Sequence, residues 1–145
     1  MEVGVGKGLY TPEILALAME LANTPWDDAL PHKGTARSRS CGSTIDVALA
    51  TDPAGAVTAL GLRPHACAVG QASAALFARS ALGRNKAEIA QSRSALAKWL
   101  VGDTLRPVWP GLENLEAARA YPARHGAIML AWDAALDALS GVRAT

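Results

Sequence analysis

From Thr35 to Leu62 the side chains change character at every second position, the tightest constraint this 145-residue chain places on its own folding. Ala36, Ser38 and Ser40 alternate with Arg37 and Arg39; further on, Ile45, Val47 and Leu49 alternate with Thr44, Asp46 and Ala48. A period of two puts alternate side chains on opposite faces of a strand. The first run therefore suits an exposed edge and the second a half-buried strand. Asp52-Pro53-Ala54-Gly55 is a turn, and Val57 to Leu62 returns as a third strand. The block predicts a three-stranded antiparallel meander with one wet face.

Helical spacing surrounds it. Thr11-Pro12 opens a helix, with Thr11 as N-cap and Pro12 at the first position, where a missing N–H costs nothing. Ile14, Leu17, Ala18 and Leu21 share its buried face, and Asn23-Thr24-Pro25 ends it ahead of a polar segment reaching about Gly34. After Cys67 the pattern is helical to the end. One helix is expected from Ala72 to Leu82, stopped by Gly83, and a second from Lys86 to Val101. Pro107 and Pro110 make Leu105 to Gly111 a loop, with Val108 and Trp109 tucked against the body. A short helix from Leu112 to Ala120 precedes a last one carrying Ile128, Ala131, Trp132, Ala135 and Leu139 on one face. The expected fold is α+β: a small antiparallel sheet with helices packed on one face, a single domain over residues 9–140, a leader at 1–8 and a tail at 141–145.

Composition narrows the function. Half the residues are apolar, enough for a core without disulfide staples. The net charge is +1, and the arginines are scattered with few aromatics beside them, which excludes a nucleic-acid footprint. No apolar run reaches the roughly 18 residues that span a bilayer, and no basic head with an apolar block marks a secretory signal. The expectation is a cytoplasmic protein without a membrane partner. Gly4-Val5-Gly6-Lys7-Gly8 lacks the preceding strand and following Ser or Thr of a phosphate loop. Ser43, Ser73 and the scattered aspartates lack the histidine and acid partners of a hydrolase, so no enzyme activity is predicted.

Two thiols remain. Cys67 stands at a helix start, where free N–H groups and the helix dipole favour thiolate over thiol. Cys41 lies in Ser40-Cys41-Gly42-Ser43, just ahead of the second strand. In a reducing compartment such a pair means metal or redox chemistry, or inert packing, more often than a structural disulfide, although a bridge forms where the α-carbons approach within about 7 Å. His65 and His125 supply imidazole donors two residues before Cys67 and Ala127.

Several pieces, in order, resemble the iron-sulfur cluster scaffold family of IscU, SufU and the N-terminal domain of NifU. They are Leu9-Tyr10 opening the first helix, Cys41-Gly42, Cys67 followed by Ala68-Val69-Gly70-Gln71-Ala72-Ser73-Ala74, Gly83-Arg84, and Tyr121-Pro122-Ala123-Arg124 running to Leu130-Ala131-Trp132. The last group, with the extra length between Val101 and Gly111, is most similar to the SufU branch. The resemblance implies a scaffold that accepts sulfur from a cysteine desulfurase, transiently holds zinc, iron or a [2Fe-2S] cluster, and passes it to apo iron-sulfur proteins. In the resemblance Cys41 and Cys67 stand at two of the family's ligand positions, His65 and His125 supplement them, and Arg124, beside a third, would hold a persulfide or carboxylate.

The chain also departs from that pattern. Ser43 stands where the family's aspartate follows Cys-Gly, Ala127 where its third cysteine precedes the final helix, and Gly126 where the IscU branch has histidine. A hydroxyl and a methyl group replace neither carboxylate nor thiolate. The resemblance therefore admits a second reading, a degenerate metal-free interaction or regulatory module that keeps the fold and its partner surface. A third is a redox module cycling Cys41 and Cys67.

Overall fold

The computed structural model describes residues 9–40, 42–103 and 105–142. The expected leader at 1–8 and the end of the expected tail lie outside the described residues. In chain order the elements are α1 (Pro12–Met19), continued by a 3-10 turn (Glu20–Asn23), β1 (His32–Arg37), β2 (Thr44–Thr51), β3 (Val57–His65), α2 (Ala68–Ser80), α3 (Lys86–Leu100), a 3-10 segment (Leu112–Ala120) and α4 (Pro122–Ala138). The three strands form one antiparallel sheet in the order β1-β2-β3. This is the expected α+β meander with helices on one face.

Local chemistry sets most boundaries. Thr11 Oγ1 accepts the Ile14 N–H at 3.1 Å and Pro12 takes the first turn of α1. Asn85 and Glu88 form a reciprocal capping box on α3: Asn85 Oδ1 accepts the Glu88 N–H at 2.9 Å, and Glu88 Oε1 accepts the Asn85 N–H at 3.0 Å. Three elements differ from the sequence reading by three residues or more at a boundary. β1 begins at His32 and ends at Arg37, which leaves Ser38 to Ser40 in the following turn. β3 runs through Pro64 to His65, because an edge strand tolerates a proline that a central one does not. α2 starts at Ala68, four residues before the expected Ala72.

α4 is the hub. It lies on β1 and β2, while α2 and α3 pack against its other sides and α1 packs on α2. Ile45, Val47 and Leu49 point into this layer, each at most 1% exposed. At Gly34 the helix backbone meets the strand directly: a Cβ there would stand 2.2 Å from the Ala134 carbonyl oxygen and 2.3 Å from the Ala138 nitrogen. Asp137 Oδ2 accepts the Thr35 N–H at 2.9 Å, and Arg93 Nε donates to Asp133 Oδ1 at 2.7 Å, tying α3 to α4. The opposite sheet edge is covered by the segment after α1, where Leu62 N–H donates to the Thr24 carbonyl at 3.2 Å and the Arg63 guanidinium lies 4.0 Å from the Trp26 ring centre.

The aromatic core is a three-ring cluster. Phe77 and Trp109 stack at 5.3 Å, and Trp132 meets each edge-on at 5.1 Å. Trp109 Nε1 donates to the Leu76 carbonyl at 2.9 Å and Trp132 Nε1 to Ser92 Oγ at 3.1 Å, so neither buried N–H is orphaned. The Leu105 to Gly111 expectation holds for Trp109 but not for Val108, which is 97% exposed. With Pro107 and Trp109 turned inward, the residue between them faces water.

Two tests follow from this packing. Gly34→Ala forces a methyl group into backbone atoms that have no rotamer to retreat into, and should lower unfolding free energy by about 3 kcal/mol in urea titration with an unchanged slope. At the far end of α1, Arg79 Nε donates to Glu20 Oε1 at 2.8 Å and Nη2 donates to Oε2. The hydrogen bond from Arg79 holds the Glu20 carboxyl below its ordinary range; partial desolvation opposes this and the guanidinium's charge adds to it. A carboxyl so lowered contributes stability above its unfolded value that is lost as pH falls through its folded one. The stability gap between the native chain and Arg79→Met should therefore be present at pH 7 and close as pH falls through the lowered folded-state value of Glu20.

Candidate thiol site at the junction of sheet and helices

The strand register brings the two cysteine-bearing connections to one end of the sheet. Thr44 at the start of β2 pairs with His65 at the end of β3, so the β1–β2 turn and the β3–α2 connection leave the sheet side by side. Cys67 is the N-cap residue of α2, half-buried, a free thiol whose side chain makes no capping bond. Its carbonyl accepts the Gln71 N–H at 2.9 Å, and Gln71 Nε2 donates to the Ala66 carbonyl at 2.8 Å, closing the connection onto the first turn of the helix.

Cys41 lies outside the described residues, but the chain on either side of it is fixed. Ser38 N–H donates to the Ser43 carbonyl at 2.8 Å, and Gly42 N–H donates back to the Ser38 carbonyl at 3.1 Å. Gly42 has φ of 71°, the left-handed conformation that favours glycine, which is why Gly follows the cysteine here. Ser40 Oγ donates to the Ala123 carbonyl at 2.9 Å and lies 3.3 Å from Ser38 Oγ. This turn therefore sits on the first turn of α4. The start of α2 sits on the next turn: a Cβ at Gly70 would meet the Ala127 Cβ at 3.2 Å. The segments bearing both thiols converge on α4 between Ala123 and Ala127.

The other candidates are distributed differently. His65 is exposed at the end of β3, one residue from Ala66 and two from Cys67, with no side-chain partner among the described residues. His125 Nε2 lies 3.0 Å from the Arg119 carbonyl. A carbonyl only accepts, so Nε2 is the donor in this contact. Two residues along a helix is a rotation of roughly 200°, so His125 faces away from the Ala127 side, into a cavity of about 520 Å³ walled by Leu100, Val101 and Pro122. Arg124 Nη2 donates to Tyr10 Oη at 3.4 Å and borders a separate recess with Leu9 and Tyr121. Among the described residues no group of three His, Cys, Asp or Glu side chains is placed to hold a metal ion.

The departures from the scaffold pattern have a packing consequence that sequence reasoning missed. A Cβ at Gly126 would lie 2.6 Å from Ser38 Oγ and 3.3 Å from Ser38 Cβ. Ser38 and Ser43 are buried, at 3% and 6% exposure, and Ala127 is at 1%. The volume that larger side chains at 126 and 127 would need is filled by the serine turn and by α2. Only the serines at alternate positions 38 and 40 hinted at this, and they read equally well as an edge strand.

This geometry has known counterparts. A NifU-like protein (N-terminal) from Brucella abortus matches with a TM-score of 0.85 and 29% identity, covering 94% of this chain and 96% of that one. The fold is the NifU/SufU scaffold fold. A putative iron-sulfur cluster assembly scaffold protein for the SUF system from Fervidobacterium islandicum has the same NifU/SufU fold, with a TM-score of 0.80 and 18% identity over 94% of this chain and 99% of that one. No protein-family model matches the sequence, and neither does any curated protein. No described helix of this NifU/SufU-like chain is long and apolar enough to cross a membrane.

The contact at Gly126 is testable by a double-mutant cycle. Exchanging a helical glycine for alanine ordinarily gains about 1 kcal/mol. In the native background Gly126→Ala should gain nothing or destabilise, because the new methyl group meets Ser38. Combined with Ser38→Ala, which removes the nearer atom, it should recover most of the expected gain, and additive effects in urea melts would refute the contact.

Proposed function

We propose that this chain acts in iron-sulfur cluster assembly as a scaffold-like carrier rather than as an enzyme. In this reading it accepts sulfur from a cysteine desulfurase, transiently holds iron or a [2Fe-2S] cluster as cargo, and delivers it to apo iron-sulfur proteins. The observation that carries the reading is the match over nearly the whole chain to a NifU-like domain at 29% identity, with Cys67 at the N-terminus of α2 and the flanks of Cys41 beside it. Such chemistry needs reduced thiols, which a cytoplasmic setting would supply.

The sulfur step uses groups the chain supplies. The Cys67 thiolate attacks the outer sulfur of the desulfurase's persulfide; that S–S bond breaks, a new one forms at Cys67, and the desulfurase thiolate leaves. Cys41 is the second sulfur ligand for the cargo, and His65, two residues from Cys67 on the same connection, the added imidazole. His125, on the face of α4 away from Ala127, and Arg124, bonded to Tyr10, serve the cargo only if they turn toward it. Resident four-ligand zinc does not fit the residues present, because Ser43 and Ala127 supply neither carboxylate nor thiolate and the space around 126 and 127 is filled. A two-thiol site suits loading and release better than storage.

That same filled space favours a second reading, a metal-free interaction or regulatory module with the scaffold's fold and partner surface. Anaerobic reconstitution with desulfurase, cysteine and ferrous iron separates the two. A carrier should take up about 0.5 to 1 equivalent of iron and of sulfide, and lose more than about 90% of it in Cys67→Ser. Less than about a tenth of an equivalent in the native chain, with desulfurase still binding, would leave the module reading standing.

A further inference from the structure

A cavity of about 350 Å³ opens between the outward face of α3 and residues 105–109, on a side of the molecule that takes no part in the thiol site. Its floor is Trp109, 3% exposed, stacked on Phe77 and fixed by its hydrogen bond to the Leu76 carbonyl. Over that ring lies Arg84, its guanidinium carbon 4.2 Å from the ring centre and its Nε donating to the Ser80 carbonyl at 2.6 Å. The Arg84 carbonyl in turn accepts the Val57 N–H at 2.9 Å. Backbone, Nε and ring stacking thus orient this guanidinium before any ligand arrives, and its Nη groups have no acceptor among the described residues. Arg106, the second guanidinium in the lining, has no ion pair or hydrogen bond among the described residues either. Glu88 is the carboxylate of the lining, and it is already bonded to the Asn85 N–H as part of the capping box.

The walls are of the opposite character. Ala95, Pro107, Leu105 and Val108 line the opening, and the last two are 83% and 97% exposed. Large aliphatic side chains standing in water around a partly enclosed, positively charged floor are what a small amphiphilic ligand would cover. Two guanidinium forks match a carboxylate in geometry as well as charge, and a preoriented one loses little freedom on binding. The volume falls at the lower end of small-molecule sites.

We infer that this cavity binds a small organic carboxylate with an apolar body. The carboxylate lies against Arg84 and Arg106, and the body lies between Ala95, Leu105 and Val108. The inference stands apart from the proposed cargo function, since no cysteine takes part.

Titration of phenylacetate into the ¹⁵N-labelled full chain, followed by NMR, tests it. The Trp109 indole N–H is the deciding probe, because it is buried beneath the site and a loosely associated surface ion would not move it. Saturable shifts of that resonance and of the Ala95 and Val108 amides are expected, with dissociation near 1 mM. Phenylacetamide, which lacks the charge, and acetate, which lacks the body, should each bind at least about fivefold more weakly. Arg106→Gln, at an exposed position without partners, should weaken phenylacetate at least about fivefold with the remaining spectrum unchanged. Arg84→Gln should do the same, and if it fails to fold, Arg106→Gln decides. No saturation by about 10 mM, equal binding of acetate, or indifference to Arg106→Gln would overturn the assignment. So would tighter binding of a Phe-Glu peptide than of the free acid, since that would make the cavity a protein-docking groove.

Discussion

The architecture depends on how closely one helix backbone approaches everything around it. α4 touches β1 at Gly34, the β1–β2 turn through Gly126 and Ala123, and α2 where Ala127 meets Gly70. At each contact a side chain is missing or reduced to a methyl group, and at Gly34 the helix atoms that a Cβ would strike belong to the backbone. Backbone cannot change rotamer, so such contacts fix the position of α4 more rigidly than interdigitated leucines would. The larger energetic share still comes from burial. Ile45, Val47, Leu49, Ile128 and Trp132 are all essentially inaccessible, each contributing on the order of 2 kcal/mol relative to exposure. The glycines decide where that burial takes place.

The same close approach shapes the thiol site. Convergence of two cysteine-bearing connections on the first turns of α4 requires those turns to be crowded, and here the crowding extends to the positions from which further ligands would project. Ser38 and Ser40 occupy the space next to Gly126, and the first turn of α2 occupies the space next to Ala127. Tight seating of the turn and an open coordination sphere are competing uses of one small volume. In this chain the seating has taken most of it. The two proposed readings, a carrier and a metal-free module, both start from that competition and differ in how much affinity they assign to the thiols.

The fold was legible where a residue acts through its own backbone or through a fixed period. Thr11-Pro12 at the start of α1, Asn85 and Glu88 at the start of α3, and the inward set Ile45, Val47 and Leu49 are local signals, and the structure follows them. The reading failed where a distant partner overrides local preference. The sequence placed Cys67 at a helix start yet bounded the helix at Ala72, whereas Ala68 to Gln71 already belong to α2; Gly70 among them lets that turn approach α4, a contact between residues 57 positions apart that no window of sequence contains. Val108 was expected inside with Trp109, yet a loop pinned by one deeply seated indole turns its neighbour outward. At the site, Cys67 as a helix N-cap was readable, since a strand, a proline and an alanine-rich run flank it. The engagement of His125 with Arg119 was not, because it depends on which face of α4 meets the 3-10 segment.

That face also explains why two cavities lie at opposite ends of α3. Arg119 Nε donates to the Trp99 carbonyl at 2.9 Å and Nη2 to the Asp103 carbonyl at 2.8 Å, so a cation sits at the C-terminal end of α3, where the helix dipole favours it. At the other end Arg84 closes over Trp109. Each arginine is held by backbone carbonyls and stacks on a tryptophan of the core, with Arg119 4.9 Å from the Trp99 ring centre. Arg119 is also paired with Glu116 at 2.8 Å, which neutralises its charge locally. Arg84 makes no ion pair among the described residues, the Glu88 carboxylate of the same lining being turned to the Asn85 N–H. Two guanidiniums with nearly the same structural role thus leave different fields behind, one quenched by its neighbour and one still directed into the cavity above it.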